Sequence, residues 1–213
     1  IPTSATFDVA AEADSASTLA TDIQVIAGVN TTADSVDLGD VPAVTGSSAD
    51  LAGLKTLTSL VDGLTFTVVV NNGENDNASV QNILDIRDVT SGAITATITN
   101  TASAVLVDLD GETGGSDVLA ITLASESVDA ANLAKIAGAT SVNVNAASIT
   151  NLTGNSVVIA EQLQNSNVTY AEDGAVDILL SEADNSAAAS DLIIINENNG
   201  SGALDARGSV DTL

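Results

Sequence analysis

Cysteine, histidine, methionine and tryptophan are all absent from the 213 residues of this chain. Without cysteine there is neither a disulfide nor a thiolate metal site. Without cysteine and histidine, Ser-His-Asp and Cys-His nucleophile systems are excluded. Zinc and most other transition-metal centres go with them. Basic residues are nearly as scarce: 4 Lys and Arg stand against 29 Asp and Glu, a net charge of −25. That excludes nucleic acid as a partner, because its binding needs cationic side chains to displace counterions. Anionic membrane surfaces are disfavoured in the same way. No window reaches the roughly 18 apolar residues of a membrane span, so none is expected. No signal-peptide pattern is read at the start of the sequence, which is Ile1 rather than Met. The chain is expected to be a mature or excised piece of something longer.

Aromatic residues number two Phe and one Tyr. Wide globular cores normally use aromatics to fill their middle. The hydrophobic fraction is nonetheless 45%, carried by Ala, Val, Ile and Leu. That fraction is ordinary for a folded chain. The combination predicts a thin interior, in which strands and short helices face each other through one aliphatic layer.

What is present is a repeated pattern. A strand-like run over 118–123 leads into a helix-like run over 129–137, ended by Gly138. A second strand over 141–146 follows, then a Thr-Gly turn, a helix over 156–164 and a strand from Val168. Residues 15–54 hold a relative of this module. Ile26-Ala27-Gly28 answers Ile136-Ala137-Gly138, and Val36-Asp37-Leu38 answers Val142-Asn143-Val144. Val44-Thr45-Gly46 answers Leu152-Thr153-Gly154, with 18 residues from Gly to Gly in one copy and 16 in the other. A weaker middle copy has strands over 64–70 and 93–98 around a helix over 79–86, with Val80, Ile83, Leu84 and Arg87 at helical spacing. In it an acidic loop over 108–117 replaces Thr-Gly. Towards the end, 175–180 and 192–196 read as strands, the latter holding Ile193-Ile194-Ile195, and 198–202 as a turn. Residues 210–213 would begin a further repeat.

A strand, a helical crossover and another strand require parallel pairing and a right-handed connection. Repeated at short period, this predicts an α/β fold: a right-handed solenoid of parallel strands with short helical crossovers, about 25–30 residues to each coil. The whole chain, 1–213, would form one array with approximate repeats 1–63, 64–117, 118–167 and 168–213. The rival architectures are an all-β solenoid and tandem β-sandwiches. Alternation puts Val142, Val144 and Ala146 on the buried face and Asn143 and Asn145 on the other. Ala130, Leu133, Ile136 and Ala137 make one helical stripe, and Ile159 and Leu163 another. Ser127 or Asp129 would start the first helix, and Asn155 or Ser156 the second.

Candidate chemistry is sparse. A glycosidase needs two carboxylates, but 29 acids supply pairs everywhere, so pairs discriminate nothing. Only Phe7, Phe66 and Tyr170 could serve as sugar platforms. Gly111, Gly114 and Gly115 lie among acids, the wrong sign for a phosphate loop. No enzyme is expected. The Thr95, Thr97, Thr99 alternation is what strand propensity produces. Asn-x-Ser/Thr sequons at Asn30, Asn77, Asn151, Asn167 and Asn199 follow from a composition rich in those residues. The acidic loops are the remaining signal, because calcium takes six to eight oxygens from flexible loops. Asp108, Asp110, Glu112 and Asp117 are the first candidate ligand set, and Glu74, Asp76 and Asn77 the second. The competing reading of both is a solvated, self-repelling turn.

The stretch VDAANLAKIAGATSVNVNAASITNLTG, with its relatives at 15–46 and 79–98, resembles repeats of large, acidic, cysteine-free bacterial surface and secreted proteins of S-layer and haemolysin-like type. The glycine-aspartate nonapeptide of the calcium β-roll is missing. The resemblance implies a structural or adhesive role outside the cell: a module of a surface layer, filament or adhesin stalk that associates with neighbouring copies. The alternative is a secreted adhesin module that binds a ligand or glycan through calcium.

Overall fold

The computed structural model describes residues 7–8, 18–21, 23–24, 36–37, 41–57, 64–71, 77–171, 175–181 and 187–206. The fold is mixed α/β, and every described strand pair is parallel. Parallel pairing removes the antiparallel sandwich from consideration. The chain divides into two compact units, one of residues 1–99 and 116–119, the other of 100–115 and 120–213.

In the first unit, β1 (Phe7–Asp8) pairs with β3 (Val36–Asp37). A larger sheet has the order β2-β4-β5-β7-β6, with β8 also on β7. Its strands are β2 (Thr18–Leu19), β4 (Ala43–Gly46), β5 (Thr67–Val70), β6 (Asn77–Ala78), β7 (Ile94–Ile98) and β8 (Val118–Ala120). Helices α1 (Ser48–Gly53) and α2 (Val80–Arg87) pack on each other. The register partners Val44, Val68 and Ile94 are successive core positions, all at most 1% exposed.

In the second unit, α3 (Ser103–Leu106) precedes a four-stranded sheet of order β14-β13-β11-β9. Its strands are β9 (Ser127–Asp129), β11 (Asn151–Gly154), β13 (Asp177–Leu180) and β14 (Leu204–Asp205). A second ladder pairs β10 (Val144–Asn145) with β12 (Val168–Thr169), and Thr122 bridges Asn145. Helices α4 (Ala130–Gly138), α5 (Ser156–Leu163) and α6 (Ala189–Asn198) pack in succession. Val128, Leu152, Ile178 and Leu204 share one row of the sheet. The first three are at most 1% exposed. Each step along that row is 24 to 26 residues of sequence. The same step recurs in the first unit, where Thr90 donates to Phe66 and Leu64 carbonyls 24 and 26 residues away.

Helix starts follow the capping rule that a side-chain oxygen takes an orphan amide of the first turn. Ser47, Ser79, Asp129 and Asn155 do this for α1, α2, α4 and α5. The Thr-Gly signature also has a steric cause. A Cβ on Gly46 would lie 2.9 Å from the Ala20 Cβ. At the matching position Gly154 has φ +137 and lies against Ala130. Glycine lets the strand end pass close over an alanine one step earlier in the chain.

Three expectations are corrected. Residues 192–196 are not a strand but the middle of α6. Three consecutive isoleucines favour a strand intrinsically. Here the segment instead fills a crossover position and packs on α5, which overrides propensity. Val142 lies outside β10 and is half-buried, whereas Val144 and Ala146 are fully buried. The acidic segment is not wholly loop, because Val107–Leu109 forms a 3-10 turn continuing α3. The apolar stripe of α2 is Val80, Ile83 and Ile86, with Leu84 half-buried. The stripe of α4 is Ala130, Leu133, Ile136 and Ala137, as the spacing predicts. Residues 210–213 lie outside the described residues.

Candidate functional site

The acidic segment is anchored by apolar residues beneath it. Leu106 and Leu109 are fully buried and pin the end of α3 and the 3-10 turn. Asp108, Asp110 and Glu112 project from this corner of the second unit and are exposed. Gly111 turns the chain at φ +79, a left-handed conformation that suits glycine. Asp110 lies 3.6 Å from the Lys135 ammonium. Thr113 closes the corner by donating to the Ala139 carbonyl at 2.8 Å.

Asp117, the fourth candidate, belongs to the first unit and is only 2% exposed. Its carboxylate accepts from the Arg87 guanidinium at 2.6 Å and from the Ile94 amide at 2.7 Å. Arg87 in turn donates to the Thr90 and Gly92 carbonyls, at 3.2 and 2.8 Å. This clasp ties the end of α2 to the start of β7. Its Nε is buried without a hydrogen-bond partner. Gly92 sits inside it because a Cβ there would approach the Phe66 carbonyl oxygen to 2.1 Å. Of the second candidate set, Glu74 and Asp76 lie outside the described residues, and Asn77 opens β6, half-buried. Among the described residues, no group of three or more acids is gathered closely enough to hold a metal ion.

Sequence reasoning did not single out a groove of about 520 Å³ in the second unit, where α4 and α5 begin. Asp129, Gly154, Asn155, Val157 and Ser181 contribute to its lining. The Thr153-Gly154 pair before a capped helix was its signal, although it ends strand β11 and is not the turn expected from sequence. Two of the groove's polar side chains cap helices. Asp129 accepts from the Ala131 and Asn132 amides at 2.9 and 3.3 Å, and Asn155 accepts from Val158 at 2.9 Å. Nearby Ser156 is buried, and its hydroxyl lies 3.4 Å from an Asp191 carboxylate oxygen.

Three titratable groups, in two arrangements, are perturbed. Hydrogen bonds from the Lys55 ammonium, 2.7 Å away, hold the Asp85 carboxyl below the usual carboxylate range. The lysine, between Asp85 and Asp88, is raised in turn. Burial pushes the Tyr170 phenol up, and the phenol donates to the Gln162 carbonyl at 3.1 Å. Neither arrangement sets a nucleophile beside a base. Among the described residues no helix is long and apolar enough to cross a membrane. Comparison of the chain with protein-family models, curated proteins and solved structures finds no match.

Proposed function

We propose that this chain is a non-enzymatic structural module of an extracellular assembly, a surface layer, filament or adhesin stalk, built as a right-handed solenoid. The observation that carries the reading is the recurring register. Along the main row of each sheet, parallel strands return every 24 to 26 residues in each unit, with helices between them. Parallel strands joined by helical crossovers take the right-handed sense almost without exception. Such repeats contact chiefly their neighbours, an arrangement that suits rigid spacing better than catalysis. Composition adds support, because a chain without His or Cys lacks the usual general bases and nucleophile partners. Negative-stain microscopy of the purified chain at rising concentration tests the proposal. Ordered sheets or filaments are expected. Dispersed single particles that bind a glycan array would replace it with the adhesin reading.

A further inference from the structure

Among the described residues, the outward strand positions of the large sheet of the first unit carry no charge, on a chain carrying −25. Val44, Val68, Val70, Ile94, Ala96 and Ile98 point inward and are buried. Alternation therefore puts Thr45, Thr67, Val69, Thr95 and Thr97 outward. Thr45, Val69 and Thr95 are direct neighbours across three strands. Val69 is 37% exposed, and Val118 on β8 is 40% exposed. Thr67 is exposed, and its hydroxyl donates to the Pro42 carbonyl at 3.0 Å. The outward rows of the four-stranded sheet in the second unit differ: they carry Asp129, Asp177 and Asp205.

We propose that this uncharged face packs against the same face of a second copy of the chain, sheet on sheet. The inference rests on the assembly reading and names the surface that assembly would use. Charge argues for this occupant. Two copies approaching through acid-bearing faces repel, whereas a basic partner would seek those faces rather than this one. Pattern argues for it too. A two-fold contact sets the same patch on both copies, and the β-branched rows of one sheet can interdigitate with those of another.

Because the chain has no cysteine, single-cysteine variants report the contact directly. Val69→Cys should form a covalent dimer under mild oxidation, while Leu179→Cys, on the acid-bearing sheet, should not. Sedimentation should show the parent moving from 21.1 kDa towards twice that mass as concentration rises. Monovalent salt should strengthen this association by screening self-repulsion, whereas a charge-paired interface would weaken. Val69→Glu should weaken association by about tenfold or more, with an unchanged far-UV spectrum showing that it still folds. If the parent associates but Val69→Cys cross-links no better than Leu179→Cys, the face is wrong and assembly stands. If the parent stays at 21.1 kDa at every salt and concentration, both are overturned.

Discussion

Asp117 shows how far a residue's role can depart from its type. In sequence it is the last acid of a calcium-like run. In the fold it is a buried anion held by Arg87 and the Ile94 amide. Removing one partner of a buried ion pair leaves the other charge uncompensated. Asp117→Ala should therefore cost about 3–5 kcal/mol, read from the shift of a urea unfolding midpoint. Asp117→Asn should cost less, because its amide oxygen still accepts from Ile94. Equal effects would mean that the lost charge, and not the hydrogen bond from Ile94, carries the whole cost. Tyr170 is the only tyrosine and there is no tryptophan, so absorbance near the phenolate band reports one group. Burial makes this phenol harder to ionise in the folded than in the unfolded chain. Its contribution to stability is thus complete below the ordinary tyrosine value of about 10. It is lost as pH rises through the raised folded value. A titration midpoint at the ordinary value in the folded protein would contradict the buried environment.

At the scale of the element, α6 is the sharpest test of the fold. In a strand, Ile193 and Ile195 would share a face. In the helix they diverge: Ile193 is 57% exposed and Ile195 fully buried. Ile195→Ala should cost about 2–5 kcal/mol. Ile193→Gln should change stability by no more than about 0.5 kcal/mol. Chemical denaturation of the two variants measures both, and equal losses would restore the strand. The other helices were legible because their signals are local. Asp129 and Asn155 each stand before an apolar stripe, and each caps its helix. In 189–198 the cap residue is Ala188, with no side-chain acceptor. The triple isoleucine therefore dominated the reading, and only packing against α5 reversed it.

For the whole molecule, charge sets the conditions of stability. The −25 excess repels itself in the compact state. Monovalent salt screens that repulsion over about 8 Å at physiological strength. The melting temperature should rise with salt, against a small opposing loss at the exposed Lys55–Asp85 pair. That pair's contribution is present above the usual carboxylate range and lost as pH falls through the lowered Asp85 value. Melting that falls steadily with salt would mean that attraction, not repulsion, dominates the folded chain. Calcium acts differently, by binding specific oxygens. At a free concentration of 100 times its dissociation constant it would add about 2.7 kcal/mol. Melts with chelator and with calcium at matched ionic strength, for the parent and Asp108→Asn/Asp110→Asn, separate that effect from screening. A calcium shift lost in the double variant places an ion on the acidic corner. Equal melting identifies the corner as a solvated turn over Leu106 and Leu109.

The sequence alone determined what depends on composition and on spacings within one strand or one helix. The lack of His and Cys removed whole classes of chemistry. The alternation of strand and helix, the stripe of α4 and its cap could be read because each rests on neighbours up to a few residues away. Tertiary structure decided what depends on contacts one crossover apart. The Arg87–Asp117 pair joins residues 30 positions apart, and the glycine at 92 answers a carbonyl on Phe66. The conformation of Ile193, Ile194 and Ile195 was set by the helix they pack against. The uncharged face of the first unit likewise exists only once parallel register brings Thr45, Val69 and Thr95 side by side. Local propensity reaches only a few residues, whereas these contacts form once the chain has closed a crossover, 24 to 26 residues in the sheet rows and 30 for Arg87 and Asp117.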